Sequence, residues 1–196
     1  MEEQQARPNK KDWLKKNWSN ILFVILVILF IIPQTRFHLQ VTINRLFSFS
    51  PSIEDQNDLV KIDNYNWQLI DESGKLINFK SSEGKVALIN FWATWCGPCV
   101  AEMPSLQKAY NQHKNNVDFY FVARDEVKKV EAFLDKENYN LPIYYEKQNP
   151  PKVLQSNQLP TTYLIDKKGN IWVQKTGAAD WNAEKINKLI SNLTAE

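Results

Sequence analysis

The chain has 196 residues, with 24 Lys and Arg against 22 Asp and Glu for a net charge of +2, and 43% of it is apolar. That length suits one ordinary domain plus an extension, and the composition supports a packed core. From Leu59 onward 17 basic residues stand against 16 acidic ones, which excludes the broad basic surface that a nucleic-acid partner requires.

Residues 1–16 read as a basic cytoplasmic tail carrying Arg7, Lys10, Lys11, Lys15 and Lys16. Ile21 to Ile32 is an unbroken apolar run inside an uncharged stretch of 19 residues, 17–35, or roughly 28 Å of helix. Trp18 opens the stretch as an interfacial aromatic and Pro33 closes it. Only Arg36 and Arg45 follow within about twenty residues. This charge bias predicts a transmembrane signal-anchor over 17–35, with the rest of the chain on the periplasmic or extracytoplasmic side of the cell (inner) membrane. A cleaved signal peptide competes, although Ile31 to Thr35 offers no small-residue cleavage site. A buried core helix is the third reading, and the flanking charges argue against it. Residues 36–58, punctuated by Ser48-Phe49-Ser50-Pro51-Ser52, are expected to be an irregular juxtamembrane linker.

Residues 59–196 alternate between strand-like and helix-like patterns. A hairpin is expected over Trp67 to Phe79 around Glu72-Ser73-Gly74-Lys75. Val86 to Trp92 is an apolar run with one Asn, of the kind found in strands buried on both faces, and Val117 to Ala123 reads as a second buried strand. Helical stretches follow each, to about His113 and over Glu126 to Asn138. Short strands are expected at Ile143 to Tyr145, Thr161 to Ile165 and Ile171 to Lys175, then an amphipathic helix over Ala183 to Leu193. This order predicts an α/β fold, a three-layer sandwich with a central mixed sheet and helices on both faces, preceded by the hairpin and one transmembrane helix.

Both cysteines lie in one C-x-x-C, Trp95-Cys96-Gly97-Pro98-Cys99, between a buried strand and a helix. A disulfide scaffold needs several cysteines, and so short a loop gains little closure stability, so the pair reads as reactive. At a helix N-terminus free N–H groups and the macrodipole favour a thiolate, the attacking form, at Cys96. Pro98 fits the first turn, and Cys99, one turn on, reaches Cys96 and resolves a mixed disulfide. Trp95 reads as a wall of the site. Glu102, one turn beyond Cys99, is either a solvated helix residue or a proton-transfer partner for the deeper thiol. Asn90 in the buried strand is expected to hydrogen-bond. No metal or cofactor is required: zinc needs more ligands, c-type haem needs a His where Val100 stands, and no phosphate-cradling glycine motif occurs. Leu159-Pro160-Thr161 opens a strand with a proline, which a cis peptide or a trans turn accommodates.

Together Phe91-Trp92-Ala93-Thr94-Trp95-Cys96-Gly97-Pro98-Cys99, Glu102 and Pro104 in C-x-x-E-x-P, and Leu159-Pro160-Thr161 resemble the thioredoxin superfamily, specifically its membrane-anchored TlpA/ResA-like thiol:disulfide oxidoreductases. The resemblance runs from about Leu59 to Leu193. It implies that Cys96 is the nucleophile, Cys99 the resolving thiol of a Cys96–Cys99 redox disulfide, and Glu102 the active-site glutamate. It also implies a substrate groove of Trp95, Gly97, Pro98, Leu159 and a cis Pro160. Asn90 departs from thioredoxin, which carries a buried Asp there, and makes Glu102 the substitute proton carrier.

The expected function is reduction of disulfides in extracytoplasmic proteins, with apocytochrome c the leading substrate and a transmembrane electron donor as partner. Gly97-Pro98 resembles the reducing thioredoxins, near roughly −270 mV, rather than the strong oxidants. General disulfide exchange or antioxidant repair is the alternative. A peroxiredoxin is disfavoured because Thr94 lies two, not three, residues before Cys96. A non-enzymatic copper-delivery or binding module is the different-class alternative; it resembles C-x-x-x-C with a later His, and no His follows His113.

Overall fold

The computed structural model describes Trp13 and residues 15–196, and the chain divides into a first compact unit ending at Gln40 and a second over Val41–Glu196. Arg7, Lys10 and Lys11 of the expected tail lie outside the described residues. The apolar run folds as helix α1, Trp18–Ile31, whose 14 residues reach about 21 Å against the roughly 30 Å of a hydrocarbon core. Ile32 is extended, with φ −77° and ψ 115°, as the ring of a following proline demands. Pro33 then starts a second helix, α2, Pro33–Leu46.

One expectation is not shown here, and another changes. Among the described residues no single helix is long and apolar enough to cross a membrane; Trp18–Ile28 and Pro33–Leu46 pass that test only together, as a bent pair. The 36–58 stretch is not irregular throughout, because its first part is helical. Pro33 begins this helix rather than merely ending one, since proline at a first turn loses no hydrogen bond and has its φ preset. No Gly or Pro interrupts the next seventeen residues, 34–50. Beyond α2, inside the second unit, the chain is fastened to that unit's core and sheet. Ile53 packs on its core, Glu54 N–H donates to the Trp172 carbonyl at 2.9 Å, and Asp180 N–H to the Phe49 carbonyl at 3.1 Å.

Among the described residues one sheet holds eight strands: β1 Val60–Lys61, β2 Gln68–Asp71, β3 Leu76–Asn78, β4 Val86–Trp92, β5 Val117–Ala123, β6 Ile143–Glu146, β7 Thr161–Ile165 and β8 Asn170–Thr176. Their spatial order is β1-β8-β7-β4-β5-β6-β2-β3. The pairs β4–β5 and β5–β6 are parallel and the others antiparallel. The second unit's later helices are α3 Gly97–His113, α4 Val127–Glu137 and α5 Glu184–Ala195. Every residue of β4 is buried, the two-sided burial that its continuous apolar run implies. The expected hairpin forms as β2–β3, with Gly74 taking φ +82° in its turn, and it extends the sheet beyond β6.

The two faces of the sheet are covered differently. Val86, Leu88 and Trp92 share a core with Cys99 and Leu106 of α3, Val130 of α4 and Ile190 of α5. Ala87, Ile89 and Phe91 face a second core built from Trp67, Phe79 and Leu154, in which no residue of these three helices takes part. The expected helices on both faces are therefore corrected to helices on one face. The cause is topological. The β4→β5→β6 connections are parallel crossovers stepping in one direction, and right-handedness places both their helices on the same side. The hairpin and two 3-10 turns, Phe79–Ser82 and Lys152–Leu154, close the other side.

Phe79 anchors that second core. It is fully buried, stacked on Tyr65 at 5.4 Å and edge-on to Trp67 and Tyr120 at 5.7 and 5.2 Å between ring centroids. Phe79→Ala is expected to cost about 3–5 kcal/mol of unfolding free energy, read from urea midpoints. A loss below about 1 kcal/mol would show that the hairpin side carries little of the domain's stability.

Candidate active site

The site sits where β4 ends. A buried strand must leave the sheet at Trp92, and the following Ala93 to Trp95 turn delivers Cys96 to the N-terminus of α3. Cys96 occupies the N-cap position with φ −87° and ψ 101°, and its Sγ accepts the backbone N–H of Cys99 at 3.2 Å. The helix thus aims an amide at this sulfur, a geometry that favours negative charge there. Cys96 and Cys99 are joined in a disulfide with their Cα atoms 5.2 Å apart. Cys96 retains 6% exposure and Cys99 none, so one sulfur of the pair is within reach of a partner. Gly97 is buried, Pro98 is half-buried in the first turn, and Trp95 is 64% exposed beside the dithiol.

Pro160 reaches the same end of the sheet because β7 runs antiparallel to β4, pairing Thr161 with Phe91. The Leu159–Pro160 peptide is cis. Pro160 is buried and Leu159 half-buried, and the Pro160 carbonyl accepts Gly177 N–H at 3.0 Å. A proline opening an interior strand is thereby accommodated at the strand's first edge, where its missing N–H costs no ladder bond.

Glu102 is not a solvated helix residue. Only 1% of it is exposed, and its carboxyl is held by three donors from distant parts of the chain. Asn90 Nδ2 donates to Oε1 at 2.8 Å, while Trp181 Nε1 and the Ala179 amide donate to Oε2 at 3.0 and 3.2 Å. Asn90 Nδ2 also donates to Thr162 Oγ1 at 2.7 Å, and the Asn90 Oδ1 atom is buried without a partner. Rotating that amide would turn Oδ1 toward Glu102 and let it accept from a protonated carboxyl. Burial pushes the Glu102 pKa up to about 8, outweighing the bonds from Trp181, Asn90 and Ala179 that favour the carboxylate.

The dithiol loop has a second tie. Thr94 donates from its backbone N–H at 3.2 Å, and from its hydroxyl, to Asp125 Oδ2, just beyond β5. Partial burial raises the Asp125 pKa, but the bonds from Thr94 and from Glu126 N–H win, holding the carboxyl below its ordinary range. Sequence reasoning reached Cys96, Cys99, Glu102 and the Asn90 hydrogen bond, and missed Trp181, Ala179, Thr162 and Asp125. No local pattern in the sequence ties Ala179 or Trp181 to Glu102.

Glu102 titration has a stability consequence. Its folded pKa lies above the ordinary 4.5, so the folded protein holds a proton that the unfolded chain has released. The stabilisation is complete below about pH 4.5 and is lost as pH rises toward about 8, at no more than about 1.4 kcal/mol per pH unit. Glu102→Gln should flatten that slope, read from urea midpoints across the interval. A constant difference between the two proteins over the whole interval would show that Glu102 does not titrate there.

The model of the AhpC/TSA family matches residues 63–174, more than half of the chain. The thiol-disulfide oxidoreductase ResA of Oceanobacillus iheyensis is 29% identical over 182 residues, covering 87% of each chain. ResA of Bacillus anthracis is 33% identical over 134 residues, covering 66% of this chain and 75% of that one. A crystal structure from Chlorobium tepidum assigned to the thiol:disulfide interchange protein DsbE superposes with a TM-score of 0.59 at 23% identity, over 70% of this chain and 99% of that one, and shares the fold. The chain belongs to the AhpC/TSA family and is a thioredoxin-like thiol-disulfide oxidoreductase similar to ResA.

Proposed function

We propose that this enzyme works as a membrane-anchored reductant of disulfides in extracytoplasmic proteins, with Cys96 as nucleophile, Cys99 as resolving thiol and Glu102 as proton carrier. The observation that carries the reading is the asymmetric dithiol: Cys96 at a helix N-cap under a backbone amide, Cys99 fully buried behind it. In the reduced enzyme the Cys96 thiolate attacks one sulfur of a substrate disulfide, and the other substrate sulfur leaves as a thiolate. Cys99, deprotonated, then attacks the Cys96 sulfur of the mixed disulfide. That closes the Cys96–Cys99 bond and releases the second substrate sulfur as a thiolate, so two electrons pass to the substrate; one departing thiolate regains the Cys99 proton by way of Glu102 and the other takes its proton from water. Glu102, when ionised, takes the proton from the buried Cys99, one helical turn away. Trp95, Gly97, Pro98, Leu159 and Pro160 form the groove that receives the substrate strand.

Two features support the cellular setting. Five basic residues precede the uncharged 17–35 segment, orienting it with residues 1–16 in the cytoplasm and residues 36–196 outside. Gly97-Pro98 matches the reducing type of C-x-x-C, and a reductant outside the cytoplasm draws electrons from a transmembrane donor. Apocytochrome c, whose haem-binding thiols must be reduced, is the substrate we put first. General disulfide exchange is the second, because the exposed Trp95 beside the dithiol is an unspecific apolar contact.

With dithiothreitol as donor, the full chain in detergent should reduce insulin, and Cys96→Ser should lower the rate at least about a hundredfold. An inert wild type would refute the oxidoreductase direction proposed here. Cys99→Ser should accumulate mixed disulfides, and a trapped haem-binding peptide would single out apocytochrome c. For Glu102→Gln, a pH–rate profile superimposable on wild type would remove Glu102 from the proton path.

A further inference from the structure

The loop that carries Pro160 is a rigid hydrogen-bonded unit. Ser156 Oγ accepts the Gln158 N–H at 3.1 Å and shares a hydrogen bond with Thr161 Oγ1 at 2.9 Å, while Thr161 Oγ1 donates to the Gln158 carbonyl at 2.9 Å. What fixes one end of this unit therefore fixes Pro160. Ser156 is held by Arg124, whose Nη1 donates to the Ser156 carbonyl. The same guanidinium forks onto Glu146, with Nε donating to Oε2 at 2.9 Å and Nη2 to Oε1 at 3.4 Å, and lies over the Phe91 ring at 4.6 Å from its centroid. Arg124 and Glu146 are each about three-quarters buried, at 26% and 24% side-chain exposure, so this is a half-desolvated planar clamp rather than a surface ion pair.

Position in the chain gives the clamp its meaning. Arg124 N–H donates to the Trp92 carbonyl at 2.8 Å, at the point where β4 turns toward the cysteines. The next residue, Asp125, holds Thr94 of the dithiol loop. Two consecutive residues thus tie the two walls of the site: Asp125 the Cys96 side, Arg124 the Pro160 side. Neither tie passes through a cysteine or through Glu102.

We propose that Arg124 is a positioning residue that sets the spacing between the dithiol and the Pro160 loop, and so governs the capture of protein disulfides but not of small ones. The inference rests on the insulin-reductase reading above. A polypeptide substrate must lie between both walls, whereas a small disulfide needs only the Cys96 sulfur. Lysine in place of Arg124 keeps the charge near Glu146 but is a single point donor; it has no fork with which to hold Glu146 and the Ser156 carbonyl together.

The test compares wild type with Arg124→Lys and Glu146→Gln, each as the full chain with its melting temperature recorded, using insulin and the small disulfide dithionitrobenzoate. Arg124→Lys should raise KM for insulin roughly five- to tenfold, the scale of one net hydrogen bond, with kcat and the dithionitrobenzoate rate within about twofold of wild type. Glu146→Gln loosens the fork while leaving the Ser156 bond in place, so it should raise KM in the same direction by less. An unchanged insulin KM in Arg124→Lys overturns the proposal. So does a parallel fall with both disulfides, which is the mark of a merely structural role. An inert wild type instead fails the reductase reading, and this inference falls with it.

Discussion

A carboxyl group removed from water ties the dithiol helix to the rest of the domain. Burying Glu102 costs free energy unless its oxygens are hydrogen-bonded, and the chain supplies those bonds from three places: Asn90 in β4, the Ala179 amide in the loop after β8, and the Trp181 indole. One donor belongs to the sheet and two to the closing loop. The carboxyl therefore fixes the height of α3 over the sheet and the path of the closing loop together. Ser105, three residues on, repeats the linkage, accepting Trp181 N–H at 3.1 Å while donating to the Glu102 carbonyl at 2.8 Å. Glu102 and Ser105 are thus stacked on one stripe of α3, and Trp181 is held by both.

This fastening explains why α3 tolerates its proline. Pro104 lies inside the helix and removes the N–H that would bond the carbonyl four residues back, yet Gly97–His113 continues as one helix. The turn weakened by Pro104 is bracketed by Glu102 and Ser105, whose side chains bond outward to the 179–181 loop. Tertiary hydrogen bonds stand in for the missing one along the axis. The same turn lies next to the buried thiol, so the region most in need of fixed geometry is held from the side rather than along the backbone.

The legibility of this fold followed the kind of interaction involved. β4, β5 and β7 could be read nearly to the residue because two-sided burial leaves a predominantly apolar run, as in Val86 to Trp92 with its single Asn90. The helix α4 was legible from its stripe of Val130, Phe133 and Leu134, and its end from Asn138, which takes φ +56°. What stayed hidden depended on the third dimension. Phe79 and Trp67 look like ordinary hairpin residues until the same-sided crossovers leave one sheet face without a helix for them to cover. Pro33 is ambiguous between stopping and starting a helix, and only the residues after it decide. At the site, Glu102 was visible through its spacing from Cys99, but its partners Ala179 and Trp181 lie 77 and 79 residues away and no local pattern points to them.

The environment that restrains α3 also bears on how the proposed cycle could move a proton. Cys99 has no exposure in the disulfide form, so in the proposed cycle its proton needs a neighbouring acceptor. A carboxyl at its ordinary pKa of 4.5 would be a poor acceptor for that proton. Pushed up to about 8, Glu102 comes close to the roughly 8.5 of a free thiol, and transfer between groups of matched affinity is nearly thermoneutral. Asn90 can follow the proton, since its Nδ2 serves the carboxylate and its unpaired Oδ1 can serve the acid. An aspartate at position 90 would lose that two-way capacity and set a second buried carboxyl against Glu102. The Asn90–Glu102 pairing and thioredoxin's buried Asp are in that sense alternative solutions to one problem, and a single site has room for only one buried charge.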